Sequence, residues 1–186
     1  MGSEMCIRDS TYRLSDALVP ITLAWISQGF ILGIYPGLSG GLAFRYSDGD
    51  IKVERPPIFQ QKITAKKKRR HIDPNGLGEL LKKYSPNYAF IEKQQAMPKQ
   101  GVSSTFRTGL GYGIYIGILA TLLIPFTEIV AHKWKKDMVV PADKNGALLR
   151  ASELMPKHAG LWPLKKDNGV AEAALLALWG ERFGDL

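Results

Sequence analysis

The sequence predicts an α/β protein with a mixed five-stranded sheet, three antiparallel strands followed by parallel ones, flanked by helices. Three observations lead to this fold class. Strand-like apolar runs joined by short turns come first in the chain. Helix-like and strand-like segments then alternate, and this succession joins strands in parallel through right-handed crossovers. The 186 residues, 45% of them hydrophobic, suffice for one domain with a full core.

The composition favours a polyanionic partner and excludes several kinds of site. The chain carries 25 Lys and Arg against 17 Asp and Glu, and this net charge of +8 favours nucleic acid first and an acidic membrane surface second. Cys6 is the one cysteine, which excludes an internal disulfide or a cysteine zinc cluster and indicates a reducing compartment. The histidines share no spacing, and the sequence contains neither a Walker loop nor a Ser or Cys nucleophile motif.

The first 29 residues differ from the rest of the chain. We interpret residues 1–29 as an extension outside the domain and residues 30–186 as the domain. Met5 to Ser10 resembles a translated sequencing-library end, so an assembly artefact and an upstream start are both open. Residues 17–34 are apolar enough for a membrane or signal segment. Pro20 and the need for a strand at Phe30–Ile34 favour a partly ordered helix, so a membrane-tethered protein stays only as a rival hypothesis.

The first predicted strands enclose a turn of small residues. Phe30–Ile34 and Leu42–Phe44 are short apolar runs separated by Pro36-Gly37 and Ser39-Gly40-Gly41. A strand that ends in small residues commonly presents a phosphate or metal site, although an ordinary buried hairpin has the same pattern. Ile51–Glu54 alternates in polarity and is predicted as the third strand.

The densest charge run in the chain follows the third strand. It lies between a strand and a helix, where both a solvated loop and phosphate contact are open interpretations. Its candidate phosphate-binding residues are Lys66, Lys67, Lys68, Arg69 and Arg70.

Helices and strands alternate in the second half of the chain. Asp73-Pro74 caps the first of these helices. The glycines of the second helix favour close packing in the core over a membrane span. The predicted segments are a helix over 75–84, a strand over 88–91 that ends at Glu92, a helix over 103–123, a strand over 126–130, and helices over 144–155 and 170–179.

A basic segment with an aromatic residue follows the last predicted strand. The run from His132 to Lys136 suits phosphates and exposed bases. A helix start with Trp134 in the core fits the same residues equally well.

Chain order then predicts where the polar groups meet. In this order of elements, which is that of the ribonuclease-H-like fold, the first and fourth strands are neighbours, so Tyr35 and Glu92 come together. Asn168 and Glu172 share a face of the last helix because they are four residues apart. Asp167 lies about 140° from Glu172 around that helix and points elsewhere unless the helix starts later. Carboxylates clustered there would hold two Mg²⁺ or Mn²⁺ ions about 4 Å apart.

From about residue 30 to 180 the chain resembles the RuvC-type Holliday junction resolvases. The carrying motifs are GIYPGLSGGLAF, AFIEKQQAMPKQGVSSTFRTGLGYGI, HKWKK and KKDNGVAEAALLALWG. The resemblance implies a homodimeric, metal-dependent endonuclease that cuts four-way DNA junctions symmetrically. It also implies the cytoplasm of a bacterial or phage-infected cell.

The same resemblance assigns roles to individual residues. Glu92, Glu172, Asn168 and Tyr35 match the catalytic positions, and Glu92, Glu172, Asn168 and Asp167 are the expected metal ligands. Besides the basic run, the DNA-binding candidates are Gln100, Ser103, Phe106, Arg107, Lys133, Trp134, Lys135, Lys136, Lys165 and Lys166.

Two of the matched positions depart from the family pattern. Tyr35 stands where the family has Asp, and a neutral phenol with a pKa near 10 replaces a carboxylate poorly at pH 7. Asn168 stands where the family has Asp or His, and it can ligate only through an uncharged carbonyl. The alternatives are an active enzyme family with a changed residue at 35, and a junction-binding protein that no longer cuts.

Overall fold

A computed structural model describes residues 30–64 and 68–184. The predicted extension over residues 1–29 and the candidate DNA contacts Lys66 and Lys67 lie outside the described residues.

The main sheet has five strands in the order β3-β2-β1-β6-β7, and a separate two-stranded ribbon is formed by β4 and β5. The pairs β1–β2 and β2–β3 are antiparallel, whereas the pairs β1–β6 and β6–β7 are parallel. This confirms the predicted mixed sheet. The strands are β1 (Phe30–Tyr35), β2 (Gly41–Tyr46), β3 (Ile51–Glu54), β4 (Ile58–Lys62), β5 (Lys68–Ile72), β6 (Tyr88–Glu92) and β7 (Phe126–Ile129).

The helices follow the predicted order with small shifts at their ends. Asp73 caps the first helix by accepting the backbone N–H of Asn75. Helix α3 is the alternative that the sequence left open for the run from His132 to Lys136, and two 3-10 turns, Pro156–Leu161 and Lys165–Asp167, are additional to the prediction. The helices are α1 (Pro74–Tyr84), α2 (Val102–Thr121), α3 (Ala131–Asp137), α4 (Gly146–Leu154) and α5 (Asn168–Phe183).

The two faces of the sheet support two separate core layers. Leu32 and Ile34 face α1 and α2, whereas Ile31 and Phe90 face α3, α4 and α5. The alternation of side chains along a strand produces this division, because successive residues point to opposite faces. Helix α5 is the central element of its layer, and its residues 169–180 are all buried.

The basic run after the third strand differs from the loop that the sequence suggested. Residues 68–72 form strand β5, which pairs antiparallel with β4 from Ile58↔Ile72 to Lys62↔Lys68. Lys and Arg have weak strand preferences and the run shows no apolar alternation, so the pattern gave no strand signal.

The structure also bears on the membrane hypothesis. Over residues 30–64 and 68–184, no helix is long and apolar enough to cross a bilayer. Phe30–Ile34 lies in strand β1, whereas residues 17–29 of the apolar N-terminal run lie outside the described residues.

Candidate active site at the β1–β6 edge

The parallel pairing of β1 with β6 brings two candidate residues side by side. Ile34 pairs with Ile91, so Tyr35 and Glu92 follow at adjacent strand ends. On the other side of β1, Tyr35 pairs with Gly41 at the start of β2. The end of β1 therefore lies between Glu92 on one side and a turn built from small residues on the other.

Helix α5 brings the other two candidates to the same edge. Its first half lies directly on β1 and β2, because a Cβ at Gly33 would overlap the backbone of Ala173 and a Cβ at Gly41 would overlap the backbone of Val170. The two glycines allow a backbone-to-backbone approach that no larger residue permits. Glu172, next to Ala173, is thereby held against the strand ends.

Glu92 is buried and fully engaged by neighbouring side chains. It is 6% exposed. The indole Nε1 of Trp134 donates to its Oε2 at 2.9 Å, and Nε2 of Gln94 donates to its Oε1 at 3.1 Å. Burial raises the pKa of the Glu92 carboxyl, and the charge of Glu172 adds to this, whereas Trp134 and Lys135 oppose it.

Glu172 is held by a lysine on one side and an amide on the other. Nζ of Lys135 lies 2.8 Å from Oε1 of Glu172, and Nδ2 of Asn168 donates to Oε2 at 3.1 Å. The other atom of the same amide, Oδ1 of Asn168, is buried and has no hydrogen-bond partner. A buried acceptor without a partner is costly, and this one is suited to binding a cation.

Tyr35 stays neutral in this environment. Burial raises the pKa of its phenol, and the negative charges of Glu172 and Glu92 raise it further. A hydrogen bond to Glu172 also favours the protonated phenol. The residue at the end of β1 therefore adds no negative charge between the two glutamates.

The polar groups at this edge are oxygen donors of the kind that a hard divalent cation prefers. Within residues 30–64 and 68–184, no three Asp, Glu, His or Cys side chains are grouped so that they could hold a metal ion. The donors present are the carboxylates of Glu92 and Glu172 and the unpartnered Oδ1 of Asn168. Oxygen donors of this kind suit Mg²⁺ or Mn²⁺. The ammonium of Lys135 neutralises part of their charge, and the pair of ions expected from the sequence stays a prediction.

Asp167, the remaining candidate ligand, has different partners. It is 5% exposed, forms an ion pair with Arg55 and accepts the backbone N–H of Leu164 at 3.0 Å. It belongs to the 3-10 turn before α5 and not to the helix face that carries Glu172. Both carboxylate oxygens of Asp167 are thus engaged by other groups, and its place among the metal ligands stays a prediction.

The structure also corrects one predicted DNA contact. Trp134 is 0% exposed and packs in the core, so no face of its ring is available for a base. Its place in the short helix α3 is the alternative that the sequence left open. Its indole supports Glu92 instead, a role that no sequence pattern signalled because it depends on how α3 docks.

The other DNA-binding candidates lie on α3, at α2, on the turn before α5 and, for Lys68, Arg69 and Arg70, on strand β5. Lys133, which pairs with Asp137 at 3.1 Å, belongs to the exposed side of α3, and Lys135 extends from that helix into the carboxylate site. Gln100 precedes α2 and donates to Ser104, while Phe106 on α2 is 71% exposed. The remaining candidates are exposed on these helices or on the turn before α5: Ser103, Arg107, Lys136, Lys165 and Lys166.

Gln94 is a site residue that the sequence analysis missed. It follows Glu92 by two positions, and residues two apart on an extended segment point the same way. That spacing was the available signal, but a polar loop gives no reason to single out one glutamine.

Comparisons with known proteins place the fold. No protein-family model matches the chain, and no curated protein sequence matches it. A Thermus thermophilus RuvC structure in complex with a Holliday junction substrate matches with a TM-score of 0.52 and 14% identity, over 83% of this chain and 97% of that one. Another Thermus thermophilus RuvC structure matches with a TM-score of 0.51 and 17% identity, over 83% and 96%. These matches show that the chain has the ribonuclease-H-like α/β fold of these RuvC structures.

Proposed function

We propose that this chain recognises four-way DNA junctions and that Glu92 and Glu172 form its phosphodiester-cleaving site. The observation that carries the proposal is the convergence of two buried glutamates, from β6 and α5, at one sheet edge. The net charge of +8 supports a nucleic-acid partner. A RuvC of the same fold has been captured with a Holliday junction, which is the basis for naming the branched substrate.

The chain's own residues would perform defined tasks at this site. Glu92, Glu172 and Oδ1 of Asn168 would hold a divalent cation, which supplies charge stabilisation and an activated water when bound. Trp134 and Gln94 fix the Glu92 carboxylate through both of its oxygens. The side chain of Lys135 is 38% exposed, so its ammonium can meet a phosphate oxygen from solvent.

A specific observation favours a second candidate, a protein that binds junctions without cutting them. Tyr35 contributes a neutral phenol where the site needs a carboxylate, and Lys135 already satisfies one oxygen of Glu172. Both features lower the affinity for divalent cations. We therefore expect this chain to bind junctions well and to cut them slowly, with cutting increased by Tyr35→Asp.

The homodimer belongs to the proposal as well. Val102, Phe106 and Leu110 are spaced four apart on α2, and they are 87%, 71% and 47% exposed. An apolar stripe of this kind on a helix is suited to a second copy of the same helix. Sedimentation velocity should give a dimer for the wild type and a monomer for Phe106→Glu, and a monomeric wild type would contradict this part.

One pair of assays tests the function. The synthetic four-way junction and a linear duplex of the same sequence are compared for binding in EDTA, then for cutting with Mn²⁺. We expect tighter binding to the junction, slow cutting by the wild type, faster cutting by Tyr35→Asp and none by Glu92→Gln. Equal affinity for junction and duplex would contradict junction recognition. A folded Tyr35→Asp variant that binds junctions without cutting them would contradict the nuclease site.

A further inference from the structure

The β4–β5 ribbon projects from the main sheet as a separate two-stranded unit. Its strands pair over five residues each, and in the described part of the chain the main sheet shares no strand with it. All of its residues are exposed except His71 and Ile72 at its base. Because the ribbon contributes little to the core, core packing does not explain its amino-acid composition.

The ribbon is basic, chiefly through β5. From Arg55 to Ile72 inclusive the sequence has seven Lys or Arg and no Asp or Glu. In the described residues, none of the basic side chains of β4 and β5 forms an ion pair. These side chains are Lys62, Lys68, Arg69 and Arg70. Their charge is therefore available to an external polyanion.

Each face of the ribbon carries hydrogen-bonding groups of the kind that read DNA. Gln60 pairs with Arg70 across the strands on one face, and Gln61 pairs with Arg69 on the other. Arg and Gln are the side chains that bind guanine and adenine edges in the major groove. At the base, the rings of Phe59 and His71 stack with centroids 5.3 Å apart, which stiffens the ribbon where it joins the domain.

The ribbon lies beside the carboxylate site. Glu54, the last residue of β3, pairs with Leu42, so the chain leaves the sheet at the edge where Tyr35 pairs with Gly41. A cleft of about 470 Å³ lies between the base of the ribbon and α2. Gln94, which binds Glu92, lines this cleft together with Arg70 of the ribbon and Arg107 of α2. Glu172 and Asn168 line a separate cavity together with Lys135.

We propose that the ribbon is a second DNA-contact element, which enters the major groove of a duplex arm while the carboxylate site faces the phosphodiester backbone. This rests on the proposed DNA function. Five residues of antiparallel strand span about 17 Å, and the major groove, about 12 Å wide, admits a two-stranded ribbon. Arg70 and Arg107 line the cleft at the base of the ribbon, where their charges can meet the phosphate backbone of that arm.

The test compares charge-removing variants at opposite ends of the sheet. The ribbon variant is Arg69→Gln with Arg70→Gln. The control is Lys82→Gln with Lys83→Gln at the end of α1, which lies where β6 begins and thus at the far edge from the site. Both pairs are exposed, so thermal unfolding should match the wild type for each variant.

Fluorescence anisotropy then gives junction affinity in EDTA as a function of salt. Each lost phosphate contact lowers the slope of log K against log salt by about 0.9, so the ribbon variant should lose up to about 1.8 and bind at least about tenfold more weakly. The control should keep both the wild-type slope and affinity. A ribbon variant that matches the control would overturn the inference while junction binding by the wild type still stands. A wild type that binds no DNA would contradict both this inference and the proposed function.

A second measurement separates groove entry from backbone contact alone. Methylation of guanine N7 by dimethyl sulfate reports access to the major groove. We expect the wild type to protect guanines in a duplex arm next to the junction, and the ribbon variant to lose that protection when saturating. Unprotected guanines with bound wild type, or protection that survives in the ribbon variant, would exclude the groove contact.

Discussion

Replacing Tyr35 by Asp should strengthen divalent-cation binding at the carboxylate site. The free energy of unfolding of the variant should then depend on bound metal. The wild-type cluster has two carboxylates and the Lys135 ammonium, and the variant adds a third carboxylate beside Glu92 and Glu172. Two unit charges about 5 Å apart at an effective dielectric of 20 repel by about 3 kcal/mol. Without metal, the variant should therefore be about 3 kcal/mol less stable than the wild type. This loss is smaller wherever one of the carboxyl groups takes up a proton.

Divalent cations should reverse this loss. At a concentration 100 times the dissociation constant, binding to the folded state adds about 2.7 kcal/mol to the free energy of unfolding. Urea unfolding with EDTA and with Mn²⁺ measures the gain for the wild type, Tyr35→Asp and Tyr35→Asn. The Asn variant is the matched control, since it has the same size as Asp without the charge. If Mn²⁺ stabilises the Asp and Asn variants equally, the electrostatic reasoning about this site is refuted.

Three further predictions concern the scaffold and the buried carboxylate. Gly33→Ala should lower the free energy of unfolding by about 1–3 kcal/mol, because the new methyl group meets the α5 backbone. Gly78→Ala in α1, which has open space around it, should raise the free energy of unfolding by up to about 1 kcal/mol. Urea unfolding measures both changes. Burial raises the pKa of Glu92 above its ordinary 4.5, so the folded state retains this proton to higher pH than the unfolded chain. In EDTA, stability should therefore fall as pH rises from about 4.5 through the raised pKa, and Glu92→Gln should remove that slope. Trp134→Phe should cost about 1–3 kcal/mol and raise the pKa of Glu92 further, seen by carboxyl NMR titration, since the carboxylate loses a buried donor.

The strand segments and the parallel crossover could be predicted from apolar runs, turn residues and the helix before each later strand. The order of elements matches the ribonuclease-H-like fold, and that fold makes β1 and β6 neighbours, so Tyr35 and Glu92 could be expected to meet. Helical periodicity likewise places Asn168 with Glu172. These inferences need no knowledge of how side chains from distant segments pack.

The rest depends on contacts that leave no periodic signal. Lys135 meets Glu172, and Trp134 meets Glu92, only because α3 docks against α5. Asp167 turns to Arg55 because the chain forms a 3-10 turn before α5 begins. The β4–β5 ribbon escaped prediction because its pairing joins basic residues with no apolar alternation.

The glycine contacts between α5 and β1 have a consequence for how such a protein can change over time. Main-chain atoms, not the reactive groups, set the distance between the helix and the strand. A substitution at residue 35 can thus alter chemistry while the architecture around it persists. If the proposed function holds, one substitution at residue 35 would then be enough to remove or restore cutting without a change in the surrounding backbone.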